Sequence, residues 1–239
     1  MKGQALREKL EKKVVEKPKD LKRHHDYANW LKDNDDPLGD LVEIQIGIEN
    51  QSNREKRFEL ELQERKLLAE HGRTWIGELA GFVMWQPDGD TYDLKPGCKI
   101  WWYRGWVYGL QIDELTLRLS KVLLQAKELR LFTKLVLTEP VNASCDYLHE
   151  WGLLDKVKEL DLSYGRITDK GALTLAADRS LKKLKSLDMT GNQLTEEGLT
   201  AITKSYPRVG VEDQNPIIIQ REDAVEWEEK TKPKEKEEK

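Results

Sequence analysis

Val157–Ala176, VKELDLSYGRITDKGALTLA, returns in outline as Leu184–Thr203, LKSLDMTGNQLTEEGLTAIT. Leu160 and Leu187 stand 27 residues apart, and so do Gly171 and Gly198. Each copy alternates apolar residues as L-x-x-L-x-L, with Val157, Leu160 and Leu162 in the first and Leu184, Leu187 and Met189 in the second. A polar turn and an amphipathic stretch follow, so the unit reads as strand, turn and helix. Such a unit can hide its apolar edge only against its neighbours, which predicts a stacked array with a parallel sheet.

The pattern resembles the leucine-rich repeat, a scaffold whose resemblance implies a binding surface. The array extends toward the N-terminus, because Leu110 and Ile112 stand 25 residues before Leu135 and Leu137. Strands are predicted near 107–112, 132–137, 157–162, 184–189 and, in degenerate form, 208–211. Helices are predicted near 114–129, 143–150, 169–178 and 195–205. Thr168 and Thr195 are placed to cap their helices, with Asp169 and Glu196-Glu197 in the first turns. Gly171 and Gly198 let neighbouring coils approach. Asn192 occupies the position of an asparagine ladder, but its equivalents are Gly165 and Pro140, so a ladder is nearly absent. Val209–Ile219, with Pro216, reads as a degenerate closing unit.

The first third differs in kind. Leu6, Leu10 and Val14 recur every four residues, and beyond Pro18 a second helix capped by Asp20 presents Leu21, Tyr27, Ala28, Trp30 and Leu31. Leu38–Ile48 reads as a third helix and Arg54–His71 as a fourth, with His71-Gly72 as its C-cap and a short Trp75–Leu79 turn beyond. Tyr27-Ala28-Asn29-Trp30-Leu31, then Asp35-Asp36-Pro37-Leu38-Gly39-Asp40 and Gln45, resemble the repeat-companion domain, a bacterial module found ahead of leucine-rich repeats. Asn29, Asp35 and Asp40 depart mildly from its pattern. The resemblance covers about residues 5–80 and implies architecture, not an activity. Val83–Tyr103 reads as turn and loop, and Arg104–Ile112 as the strand that opens the array.

The expected fold is therefore α/β: a helical N-terminal module (1–80), a seam (81–104), a short leucine-rich-repeat solenoid (105–220) and a charged tail without packed structure (221–239). With 38% hydrophobic residues and eight Trp, the 239-residue chain can bury a core. Its net charge of −4 is uneven: residues 1–25 carry nine Lys or Arg against four Asp or Glu. No apolar leader or span is visible, and Cys98 and Cys145 form no cysteine framework, so free thiols in the cytoplasm are expected.

Function is expected from the outward strand positions. One column is Gln111, Val136, Asp161 and Asp188, and the next is Asp113, Thr138, Ser163 and Thr190. With Glu114, Glu139, Glu159 and Tyr164 they predict a negative concave face with one aromatic anchor. This favours a partner protein with a basic segment over nucleic acid. The plainer reading is that these are solvated strand positions. Trp101, Trp102, Tyr103, Trp106 and Tyr108 form either an interaction cluster or, more simply, a seam between modules; in the first case the chain would be a regulatory or structural subunit of a larger assembly, contacting it through the N-terminal module and this aromatic seam. The basic start is diluted by Glu8, Glu11 and Glu16 and reads as a solvated helix face. Catalysis has little support: no metal-ligand spacing, phosphate loop or nucleophile elbow occurs. Cys145 and His149 at i and i+4 share a helix face, where coincidence is the simpler reading than a thiolate pair. No cofactor or membrane is implied.

Overall fold

The computed structural model describes residues 2–86 and 92–216, so the charged tail expected at 221–239 lies outside the described residues. Four helices open the chain: α1 (Lys2–Glu16), α2 (Leu21–Lys32), α3 (Leu38–Asn50) and α4 (Arg54–Ile76). The Asp20 carboxylate accepts from Lys22 N at 3.1 Å and Asn53 Oδ1 from Lys56 N at 3.0 Å, so both helices start where a side-chain acceptor is available. The expected stop at His71-Gly72 is overrun. Gly72 lies inside α4, packed against the Tyr92 ring, and the helix ends at Gly77, which takes φ +54°. A short helix α5 (Ala80–Val83) follows.

The sheet has five strands in chain order: β1 (Lys99–Tyr103), β2 (Trp106–Ile112), β3 (Lys134–Leu137), β4 (Glu159–Asp161) and β5 (Ser186–Asp188). β2 to β5 run parallel, and β1 pairs antiparallel with β2. β1 lies in the stretch read as loop, and Arg104-Gly105, read as part of the opening strand, is instead the two-residue turn of this hairpin. Both turn residues have positive φ, +49° and +80°, as such tight hairpins demand. The degenerate strand near 208–211 reduces to a bridge between Asp188 and Gly210.

Leu110, Leu135, Leu160 and Leu187 are register partners and are all buried, forming the inner row. Behind it stand α6 (Leu117–Gln125), α7 (Asn142–Glu150), α8 (Leu153–Lys156), α9 (Asp169–Ala177) and α10 (Glu196–Ser205). The core they close also takes in Ile76, Leu79, Val83 and Met84, so the end of α4 and α5 belong to the array's core.

Thr195 caps its helix as expected, its Oγ accepting from Glu197 N at 3.3 Å, but the turn one unit earlier departs from expectation. Thr168 makes no side-chain cap to its own helix; Asp169 reaches forward to the next unit instead. Its Oδ1 accepts from Thr195 N at 2.8 Å and Gly198 N at 3.1 Å, while Oδ2 accepts from Thr195 Oγ at 2.6 Å. Asn142 repeats the arrangement one unit earlier, accepting from Thr168 N at 3.0 Å and Gly171 N at 3.1 Å. A Cβ at Gly198 would collide with the Asp169 carboxylate, and one at Gly171 with Asn142 Oδ1, which explains both glycines. The asparagine ladder has the one rung expected of it: buried Asn192 accepts from Ile167 N at 3.0 Å and donates to Leu162 O at 2.7 Å and Met189 O at 2.9 Å.

The helical module is locked onto the hairpin. Gln45 accepts from Gly105 N at 2.7 Å and donates to Glu64 at 2.7 Å. Arg104 forks onto both Glu49 oxygens, at 2.6 Å from Nη2 and 3.0 Å from Nε, and that bond holds its guanidinium above its ordinary pKa. Tyr27 stacks on Trp106 with centroids 5.8 Å apart.

Candidate interaction face

Alternation along β2 to β5 turns the leucines inward and leaves two rows on the opposite face. One row is Gln111, Val136, Asp161 and Asp188, aligned residue for residue as expected. All four are half-exposed. The second row, Gly109, Lys134, Glu159 and Ser186, is equally well registered, and of it the sequence reading named only Glu159.

Asp161 and Asp188 neighbour each other across parallel strands, and both have local work to do. Asp161 Oδ1 accepts from Ser163 N at 3.0 Å and Ser163 Oγ at 2.6 Å; Asp188 Oδ1 accepts from Thr190 N at 2.9 Å. Each carboxylate thus turns the chain out of its strand and keeps its second oxygen for the surface. Thr190 Oγ donates to Glu212 at 3.2 Å, which brings a third acid to this end.

The remaining expected residues lie at strand ends. Asp113 accepts from Thr138 Oγ at 2.6 Å, Glu139 is exposed beside it, and Gln111 Nε2 donates to Gly97 O at 2.9 Å. Tyr164 is 72% exposed with φ +56°, and one side of its ring rests against Gly191. It is the most exposed large hydrophobic side chain among the described residues.

The face is not uniformly negative. Lys99 and Lys134 both place Nζ over the Trp101 ring, at 5.0 and 4.5 Å from its centroid, and Trp101 lies across Gly109. Glu159 is the register partner of Lys134, and the Tyr108 phenol is raised by burial and, after it, by the Glu159 charge. The array therefore carries a basic, aromatic zone over β1 to β3 and an acidic zone over β4, β5 and Glu212. Lys134 is absent from the sequence expectation, and Trp101, expected there only within the aromatic cluster, is brought onto this face by β1. The two-residue alternation that selected Glu159 reaches Lys134 one unit earlier.

The aromatic cluster divides into two groups. Trp102 and Trp106 turn into the seam, where Trp102 meets Trp75 at 6.3 Å, whereas Tyr103 meets Tyr108 at 6.2 Å. Cys145 and His149 share α7 without pairing. Cys145 is fully buried and its thiol is pushed up to about 12 by desolvation, and His149 Nδ1 is bonded to Asp178 at 2.9 Å.

No helix among the described residues is long and apolar enough to cross a membrane. No curated protein and no solved structure matches the chain. A family model for the leucine-rich repeat matches residues 156–176 and 180–202, so the units built on β4 and β5 are leucine-rich repeats, set in a mixed α/β fold.

Proposed function

We propose that this chain is a noncatalytic protein-interaction module that takes its partner on the outward face of the repeat sheet. Leucine-rich repeats commonly serve as such modules. The observation that carries the reading is the registered row from Gln111 to Asp188, which spans four strands and offers half-exposed side chains away from the core. Its acidic end, Asp161, Asp188 and Glu212, suits a basic partner segment and repels phosphate chains. Glu139, Asp113, Ser163, Thr190 and Tyr164 form the rim, and Glu159 lies toward the basic zone. The repeat-companion reading of the N-terminal helices belongs to the same proposal, as does a bacterial, cytoplasmic setting for the unpaired Cys98 and Cys145. The alternative in which seam aromatics hold the chain in a larger assembly has less support, because Trp102 and Trp106 are used inside the chain.

The test is Asp161→Asn with Asp188→Asn. Asparagine keeps the turn acceptors and removes both charges. Affinity capture from the native host, read by quantitative mass spectrometry, should recover a protein with the wild type that the double variant loses. Equal recovery, with native circular dichroism, would refute the acidic face as the binding surface.

A further inference from the structure

A second site stands apart from the sheet face. Where the helical module meets the β1–β2 hairpin, a cleft of about 590 Å³ opens between α1, α4 and the segment after α6. That volume is within the range of small-molecule sites. Its walls include the indoles of Trp75, Trp102 and Trp106 and the phenol of Tyr27. Tyr27, stacked on Trp106, fixes one wall, and the edge-on Trp75–Trp102 pair fixes another.

The polar groups of the cleft are not equivalent. Glu11, only 12% exposed, is engaged by Arg7, by Arg130 and by the Tyr27 hydroxyl. Asp36 is engaged by Arg7 at 3.2 Å and by Leu38 N at 3.0 Å. These two carboxylates are therefore occupied. Donors, in contrast, are left over. The Trp106 indole N–H is buried, in a residue 6% exposed, and has no acceptor among the described residues. Arg130 bonds through one nitrogen only, and Lys127 forms no ion pair among the described residues. Two further acids line the cleft. Glu8, at the exposed rim, is bonded by Gln4 at 3.2 Å, and Glu128 lies against Gly77.

Aromatic walls with unused N–H donors select a flat ring carrying an oxygen acceptor. We propose that this cleft binds a small planar aromatic carboxylate, its ring among the three indoles and its oxygens answering Trp106, Arg130 and Lys127.

Indole-3-acetate, tryptamine and indole serve as anionic, cationic and neutral probes, titrated calorimetrically into the full chain. Indole-3-acetate should bind saturably with a dissociation constant below about 1 mM, at least tenfold tighter than the other two, a tenfold step being the loss of one good contact. Trp106→Phe, which keeps a ring and removes the donor, and exposed Lys127→Gln should each weaken it about fivefold to tenfold, a few-fold being what one hydrogen bond supplies. Their melting temperatures report whether the fold is intact, and Lys127→Gln, at an exposed position, reads the site even if the Trp106 variant fails to fold. Absence of saturable binding, preference for tryptamine, or equal binding by a folded Trp106→Phe and by Lys127→Gln would each overturn the proposal. Loss of partner capture at the sheet face leaves this site untouched, so the two readings fail separately.

Discussion

Replacing Asn192 by leucine removes one side chain and disconnects two turns. The asparagine is fully buried and shares with leucine four side-chain heavy atoms branched at Cγ, so the change opens no cavity. What it removes is specific. Ile167 N–H donates to Asn192 Oδ1 alone, Leu162 O accepts from Asn192 Nδ2, and Met189 O also accepts from Gln214 Nε2 at 2.9 Å. Two buried backbone groups therefore lose their partner while the third keeps one. At about 1–3 kcal/mol for each stranded group, the expected cost is about 2–6 kcal/mol. A loss near 3 kcal/mol lowers the melting temperature by about 6–12 °C in a chain of this size. Urea unfolding followed by circular dichroism reads it as a shifted midpoint with an unchanged slope. Thr200→Ala, at an exposed position of α10, is the control and should change stability by no more than about 0.5 kcal/mol. A loss below about 1 kcal/mol for Asn192→Leu would refute the reasoning, because it would mean that the turn backbone does not depend on this side chain.

Two further outcomes follow from the same turns and from α8. Gly198→Ala should cost about 1–3 kcal/mol, because its methyl group meets the Asp169 carboxylate, and the penalty should shrink by at least half in an Asp169→Ala background; additive losses in a double-mutant cycle would contradict the contact. Lys156, whose Nζ donates to Leu123 O at 2.5 Å, is pushed down from 10.5 to about 8 by burial. Between about pH 8 and 10.5 the unfolded chain binds the proton that the folded chain has released, so folding stability gained from this group rises with pH across that window. Urea titrations should show wild type gaining on Lys156→Met from pH 8 to pH 10.5, and parallel curves would exclude the depressed lysine.

Periodic signals carried most of the fold. Leu110, Leu135, Leu160 and Leu187 repeat at 25, 25 and 27 residues and fall into one register, because a stacked unit buries its row only if the spacing is kept. β1 escaped because it pairs antiparallel and has no counterpart one repeat away; its signal was local, the Arg-Gly turn between two aromatic-rich runs. The end of α4 was misplaced because a glycine can end a helix or admit a neighbouring ring, and Gly72 does the second against Tyr92. At the interaction face, the row through Asp161 and Asp188 was legible from alternation alone. What alternation hid is that both acids also hold their turns, and that Lys134 turns toward Trp101, a residue on a strand the repeat did not contain. The cleft was invisible for a related reason. Its walls come from α1, α2, α4, the hairpin and the segment after α6, residues up to about 126 positions apart, such as Gln4 and Arg130.

The two ends of the array are closed by different chemistry, and this restricts where the proposed partner could dock. At the N-terminal end the sheet gains an antiparallel strand and a helical module, fastened by Gln45 to Gly105 N and by Glu49 to Arg104. At the C-terminal end no further strand forms among the described residues. Gly210 instead exchanges bonds with Leu187 O and Met189 N, and beyond it the outward backbone is satisfied locally. Val211 N donates to Glu212 at 3.0 Å, and Gln214 Nε2 reaches Val211 O at 3.1 Å while its Oε1 accepts from Leu194 N at 3.1 Å. An edge whose donors and acceptors are already paired offers little to a strand from another chain. Recognition by strand addition is thereby disfavoured at this end. Under the proposed function, the side chains of the sheet face, with Lys134 and Trp101 at one side and Asp161, Asp188 and Glu212 at the other, would carry specificity.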